Sequence, residues 1–227
     1  MSKNCALIVA GGKGKRVGKH ISKQFIEIKD KPIICYTLEA FEKSHLIDEI
    51  FVVISKDDMD YFRENILERY KFNKIIGVVQ GGAERQDSVY NGLMAIEKCD
   101  IVLIHDGARP FVSEKIIEEG IKYASIYGAA ACGVIPKDTI KVRNNHSFSE
   151  KSLERSSLFA VQTPQCFKYE AIIRAHEQCR KKQLKVTDDT MVMESCGAEV
   201  YLYEGSYSNI KVTTPEDLAL AEYLACQ

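Results

Sequence analysis

The residues best suited to chemistry follow directly on the apolar run Cys5–Val9, where the chain reads Ala10-Gly11-Gly12-Lys13-Gly14-Lys15-Arg16. Residues this small let a backbone approach a phosphate closely, and successive amides can form an anion-binding nest. Between Lys13 and Lys23 there are five basic residues, Lys13, Lys15, Arg16, Lys19 and Lys23, and no acidic one. That local excess sits in a chain of formal net charge -1, with 31 Lys plus Arg against 32 Asp plus Glu. It implies an anionic ligand, although a solvated glycine-containing turn would share the composition. The pattern is neither G-x-G-x-x-G nor a loop ending in G-K-[ST]. Neither a dinucleotide-binding dehydrogenase nor a P-loop NTPase is supported.

Two other places carry usable groups. Gly81-Gly82-Ala83 precedes a helical pattern over Arg85–Glu97, which puts Ser88 in the first turn, beside backbone amides that have no intrahelical partner. Close backbone walls can match the amide-like edge of a pyrimidine and exclude a purine, though a plain glycine turn would look the same. The strand-like run Ile101–Ile104 ends in His105-Asp106, an acid placed where a metal or a ligand hydroxyl can be met.

The elements that must position these groups alternate. Short apolar runs at Cys5–Val9, Glu49–Ile54, Lys74–Val79, Ile101–Ile104 and Ala129–Ile135 read as strands. Amphipathic segments at Pro32–Lys43, Asp57–Tyr70, Arg85–Glu97 and Ser113–Tyr127 read as helices. Near-continuous apolar strands between such helices predict an α/β fold with a mainly parallel sheet covered on both faces, its ligand at the carboxyl ends of the strands. After Ile135 the rhythm breaks. Short strands at Lys137–Lys141 and Ser157–Gln162 flank the polar Arg143-Asn144-Asn145-His146-Ser147, which predicts a protruding β-arm over 137–160 on one 227-residue domain. An isolated arm of this kind buries little by itself, so a dimer is expected. Helices at Tyr169–Lys182 and Asp188–Cys196 and a strand at Glu199–Tyr203 follow. Thr214 as N-cap, Pro215 at the first position and Asp217 at the capping-box position mark the last helix.

Composition excludes several classes. With balanced charge and no basic–aromatic stripe there is no field to hold nucleic acid, and no run reaches the roughly 18 apolar residues of a membrane span. The start of the chain has no room for a secretion signal. The eight cysteines are scattered and form no C-x-x-C pair, which reads as reduced thiols in a cytoplasmic protein.

Taken together and in order, the motifs resemble the 2-C-methyl-D-erythritol 4-phosphate cytidylyltransferases of the non-mevalonate isoprenoid pathway. They are the Ala10–Arg16 loop with Ser22-Lys23-Gln24-Phe25, Gly81-Gly82-Ala83-Glu84-Arg85-Gln86-Asp87-Ser88-Val89 and His105-Asp106-Gly107-Ala108-Arg109-Pro110. Lys137–Lys141, Arg155, Thr163-Pro164-Gln165, Thr187-Asp188-Asp189 and Asn209-Ile210-Lys211-Val212-Thr213 complete the set. The resemblance spans essentially the whole chain and implies a Rossmann-like fold of the nucleotide-diphospho-sugar transferase type. It implies condensation of CTP with 2-C-methyl-D-erythritol 4-phosphate, with magnesium as cofactor, in a cytoplasmic homodimer built by arm exchange. By the same resemblance Arg16, Lys23 and Lys211 act on the triphosphate, and Ala10, Gly11, Gly12, Gly82, Ala83 and Ser88 hold the nucleotide. Asp106 binds magnesium or the substrate diol and Arg109 orders its loop. Thr139, Arg155, Thr163 and Thr187 hold the acceptor phosphate, Thr139 and Arg155 in the neighbouring subunit's site. Asp188 and Asp189 are read as helix-start acids, and His105 as structural, because a phosphate monoester with a second pKa of about 6 needs no general base.

Three positions depart from the family pattern. Gly11 and Gly107 stand where alanine is common, the second predicting a looser loop beside Asp106, and Ala83 stands where some members carry a polar side chain. Ribitol-5-phosphate cytidylyltransferases share part of the motif set. A non-enzymatic nucleotide-binding regulator would retain the loops but not the full group of cations.

Overall fold

Residues 2–12 and 22–227 are described in the computed structural model. Seven strands form one sheet: β1 (Asn4–Ala10), β4 (Glu49–Ile54), β5 (Ile75–Gln80), β6 (Ile101–Asp106), β7 (Ala129–Val134), β10 (Ala160–Lys168) and β11 (Tyr201–Glu204). Their order is β11-β7-β10-β6-β1-β4-β5. All neighbours are parallel except β10, which runs antiparallel between β6 and β7. The small strands β2 (Glu27–Ile28) and β3 (Lys31–Pro32) pair with each other, as do β8 (Lys141–Arg143) and β9 (Ser149–Ser152).

The apolar runs are buried on both sides, as expected for a covered parallel sheet. Alternate residues of one strand enter different cores. Ala6 and Ile8 of β1 pack with Ile34, Leu38 and Phe41 of α1 (Ile33–Lys43) and with Ile116 and Ile117 of α4 (Glu114–Tyr127). Cys5 and Leu7 face Val89 and Leu93 of α3 (Arg85–Met94) and Ile172 and Cys179 of α5 (Tyr169–Lys181). A third cluster, Ile26, Ile28, Ile33, Val212 and Ala221, lies under α7 (Pro215–Leu224). The mixed, mostly parallel sheet with helices on both faces is the α/β fold predicted. All eight cysteines are free, six of them buried. Among the described residues no helix is long and apolar enough to cross a membrane.

Several predicted elements differ from those observed. The segment read as one helix over Asp57–Tyr70 is a 3-10 turn (Lys56–Asp58), a short α2 (Met59–Phe62) and wider turns over Arg63–Leu67. Phe62 and Ile66, four residues apart, are both buried. Helix α3 stops at Met94, three residues early, where the Tyr169 hydroxyl lies 2.8 Å from the carbonyl of Leu93 and 2.6 Å from that of Ile96. The arm strands are Lys141–Arg143 and Ser149–Ser152, because Asn144 organises the turn. Its Oδ1 accepts from the amides of His146 and Phe148, both at 3.0 Å. The segment read as the second arm strand, Ser157–Gln162, instead leads into β10. Helix α6 covers only Asp189–Glu194.

Candidate active site

Strand order reverses about β1, whose neighbours β4 and β6 come from later parts of the chain on either side. A crevice opens at the carboxyl ends of such strands. A cavity of about 750 Å³ occupies it. Ala10 ends β1, Ser55 follows β4, Gly81 follows β5 and Asp106 ends β6, and all four line it together with Gly11, Gly12, Lys23, Gln24, Gly82, Ala83, Arg85, Ser88 and Lys211. Of the expected site residues, Ala10, Gly11, Gly12, Lys23, Gly82, Ala83, Ser88, Asp106 and Lys211 therefore share one wall-lined space. Arg16 lies outside the described residues.

The Ser88 side chain builds one wall. Its hydroxyl donates to the Glu84 carbonyl at 3.1 Å and accepts from the Gly82 amide at 3.0 Å. Helix α3 begins there with a reciprocal capping box between Glu84 and Asp87. The two glycines tolerate a side chain very differently. A Cβ on Gly82 would lie 2.3 Å from the Cβ of Asp87 and 3.1 Å from its carbonyl carbon, whereas one on Gly11 meets nothing closer than 3.5 Å. Gly82→Ala is therefore expected to displace the wall and raise the KM of the substrate that occupies this cavity at least tenfold, at a stability cost of about 1–3 kcal/mol. Gly11→Ala should leave KM near wild type and be neutral or stabilising by up to about 1 kcal/mol. Steady-state kinetics and denaturant midpoints on both variants check the contrast.

Asp106 is the electrostatic centre. Its carboxylate is 2.7 Å from Lys211 Nζ, 3.5 Å from Arg85 Nε and 3.8 Å from Arg109 Nε. Burial would raise its pKa, but Arg85 first, then Lys211 and Arg109, outweigh it and hold the carboxyl well below the usual range. Arg85 was not singled out from the sequence. Besides Asp106 it approaches Asp189, with Nη1 2.8 Å from Oδ2, and the far side of Asp189 meets His176 at 3.2 Å. The pair lowers the Asp189 pKa despite its burial. Asp188 caps α6, accepting from the Met191 amide at 3.0 Å.

His105 is fully buried. Its Nε2 is 3.0 Å from the Arg109 carbonyl, which can only accept, so Nε2 carries the proton and Nδ1 accepts from the Thr163 hydroxyl at 3.1 Å. Burial pushes its pKa down to about 4, which fits a neutral structural ring. Thr163 is buried too, and its hydroxyl also accepts from the Asp106 amide at 3.0 Å. Arg109 donates to the Asn209 carbonyl at 2.7 Å and so ties the Asp106 loop to the segment carrying Lys211. The slack predicted at Gly107 is not present. Its amide donates to Val9 at 2.9 Å and its carbonyl accepts from Thr37 at 3.1 Å. Thr139, Arg155 and Thr187 are exposed and do not line this cavity. Arg155 donates to the Lys137 carbonyl at 2.9 Å, bracing the base of the arm.

The sequence pattern of the 2-C-methyl-D-erythritol 4-phosphate cytidylyltransferases matches residues 4–227. The chain belongs to this family. It is 60% identical over 223 residues to the cytidylyltransferase of that name from Clostridium perfringens, covering 98% of this chain and 99% of the relative. It is 56% identical over 221 residues to the one from Clostridium acetobutylicum, covering 97% and 96%. The crystal structure of 4-diphosphocytidyl-2C-methyl-D-erythritol synthase from Anaerococcus prevotii superposes with a TM-score of 0.88 at 32% identity, over 100% of this chain and 97% of that one. The crevice at the β1 switch point gathers part of the motif set, Ala10-Gly11-Gly12, Lys23, Gly81–Arg85 with Ser88, Asp106 and Lys211.

Proposed function

We propose that the chain transfers the cytidylyl group of CTP to 2-C-methyl-D-erythritol 4-phosphate. A phosphate oxygen of the acceptor attacks the α-phosphorus of CTP, the bond to the β-phosphate breaks, and pyrophosphate leaves. The observation that carries this reading is the convergence of Lys23, Lys211 and a triply cation-bound Asp106 on the cavity that also holds the two glycine walls.

The base lies between the backbone of Ala10, Gly11 and Gly12 and the Gly82-Ala83 turn pinned by Ser88. Lys23, Arg16 and Lys211 neutralise the triphosphate and the charge that grows on the equatorial oxygens and the leaving group. Lys211 already contacts Asp106, so the carboxylate sets where that cation stands. Asp106 orients the sugar hydroxyls, and Arg109 and Thr163 hold its loop, Thr163 through the Asp106 amide. His105 takes no proton, consistent with its lowered pKa.

Magnesium fits this site as an ion shared with the triphosphate. Among the described residues there is no group of three or more metal-ligating side chains, so Asp106, the carboxylate at the end of β6, would hold the ion together with oxygens of CTP. When bound, the ion would neutralise phosphate charge. The eight free cysteines fit a reducing, cytoplasmic setting.

The Thr163 hydroxyl, expected at the acceptor phosphate from the resemblance, is buried and gives its proton to His105, so it serves the Asp106 loop instead. The acceptor phosphate is held by Arg155, Thr139 and Thr187, with Arg155 and Thr139 supplied by the arm of a second copy. Support comes from the exposure of both residues away from their own cavity and from Phe148, 71% exposed at the tip of the hairpin. Mixing an Arg155→Ala chain with a Lys23→Ala chain should then restore one intact site in mixed dimers. About a quarter of wild-type activity is expected if subunits assort randomly, given that each parent is nearly inactive on the scale of lost charged contacts. No recovery with verified mixing would argue against exchange.

Pyrophosphate release with CTP and magnesium tests the reaction itself, with 2-C-methyl-D-erythritol 4-phosphate and ribitol 5-phosphate as alternative acceptors. Turnover with the first alone is expected. Preference for ribitol phosphate would move the chain's substrate, and CTP binding without turnover would indicate a regulator.

A further inference from the structure

Behind the cavity, one carboxylate oxygen gathers groups from separate segments. Asp58 Oδ2 accepts from the Ser22 hydroxyl at 2.7 Å, from the Ser55 hydroxyl at 2.7 Å and from Gln24 Nε2 at 3.3 Å. The same Gln24 amide donates to the Ala10 carbonyl at 2.9 Å, and Gln24 is only 2% exposed. Ala10 is the last residue of β1 before the glycines, Ser22 immediately precedes Lys23, and Ser55 follows β4. The network therefore ties together the residues on either side of the basic loop and the strand end next to it.

Its placement is not explained by helix chemistry. Asp58 and Ser55 each stand immediately before a helical turn, where their residue types ordinarily cap free amides. Neither does so here: no side-chain capping bond is made by Ser55 to the turn at Lys56–Asp58, or by Asp58 to α2. The Asp58 carboxylate turns instead toward Ser22 and Gln24, and the Ser55 hydroxyl toward Asp58. Lys23 lies between these two anchored residues and lines the cavity.

We infer that Asp58 is a positioning residue for CTP, a clamp that fixes Lys23 at the triphosphate end of the cavity through Ser22 and Gln24. The inference rests on the assignment of this cavity to CTP. The hydrogen bonds of Asp58 go to Ser22, Gln24 and Ser55 and to none of the residues proposed for the acceptor. Its loss should therefore leave the acceptor KM in place, even where a displaced Lys23 also lowers kcat.

The test is steady-state kinetics on the full chain with CTP, 2-C-methyl-D-erythritol 4-phosphate and magnesium. Asp58→Ala should lower kcat/KM for CTP about tenfold or more, the scale of hydrogen bonds to a charged acceptor, while the acceptor KM stays within about twofold. Ser22→Ala should lower kcat/KM for CTP about threefold, and the double variant should be no worse than Asp58→Ala alone, since contacts in one network are not additive. Asp58→Asn keeps the shape and folds even if the alanine variant does not. Its carbonyl oxygen can take the place of Oδ2 and keep the three bonds, so only the charge is lost and a smaller loss in kcat/KM for CTP is expected. An unchanged kcat/KM for CTP in Asp58→Ala and Ser22→Ala, an acceptor KM raised as far as the CTP KM, or fully additive effects would overturn the clamp. Wild-type protein without CTP turnover would instead overturn the functional reading on which it rests.

Discussion

Lys23→Ala is expected to cut turnover by about 10²–10³-fold with little change in folding, the loss typical of one preorganised group that stabilises transition-state charge. The reasoning is local. Lys23 is half-buried at the cavity wall, between Ser22 and Gln24, whose side chains are bonded to Asp58 and Ala10. Truncation therefore removes the ammonium without releasing the backbone that carries it. Phosphoryl transfer has little covalent work for a protein to do, so loss of a positioned cation falls on kcat more than on protein stability. Arg16→Ala should behave alike. Lys43→Ala is the matching control, because that side chain is 76% exposed and makes only a surface pair with Glu39. It should change turnover less than twofold and stability by less than about 0.5 kcal/mol. Near-wild-type turnover of Lys23→Ala would remove Lys23 from the chemistry.

The strands that surround this site were legible because burial on both faces leaves a simple trace. Glu49–Ile54 is predicted and observed with the same ends, and the α7 capping box of Thr214 and Asp217 forms as its residues demand. Strand β10 was not legible for the opposite reason. It runs through the middle of the sheet, yet Gln162, Thr163 and Gln165 are buried polar residues that break its apolar pattern. Each is satisfied by something distant in sequence. Gln162 bonds Ser206 and Asn209, Thr163 bonds His105 and Asp106, and Gln165 bonds Asp188 and Asp189. A reading that looks for alternation cannot see hydrogen bonds across 23 to 58 residues. These same bonds bring the Asp106 end of β6, the α6 cap and the Asn209 segment together.

The cavity shows the same division. Residues announced by local chemistry, the glycines and Lys23 in its basic run, could be found from the motif. Asp106 could be found because an acid ending an apolar strand is rare. Arg85 could not, since an arginine at the first position of a helix is unremarkable until two carboxylates from 21 and 104 residues away meet it. Asp58 looks like an ordinary helix-start acid. In both cases the functional reading depends on partners that only the packed fold supplies.

Arg85→Met is expected to have the largest stability effect in the molecule, about 3–5 kcal/mol, the cost of leaving a buried charge without its partner. Asp189 is 1% exposed, and its other side-chain partner among the described residues is the His176 ring, itself fully buried. Arg85 bridges it to Asp106, so the substitution strips one cation from each carboxylate at once. The two consequences can be separated. Adding Asp189→Asn removes the uncompensated charge and should recover most of the lost stability, while Asp106 still lacks Arg85 and turnover of the folded protein should remain about tenfold or more below wild type. Urea midpoints report the first effect and turnover at saturating CTP the second. If Arg85→Met keeps the wild-type midpoint, the guanidinium does not compensate Asp189. If the double variant recovers turnover along with stability, Arg85 serves the fold alone and Asp106 is placed by Lys211 and Arg109. Arg85 sits at the start of the helix that lines the cavity and holds the start of the helix that follows Thr187. Its removal should raise the KM of both substrates, in contrast to Asp58, where the acceptor KM is expected to hold.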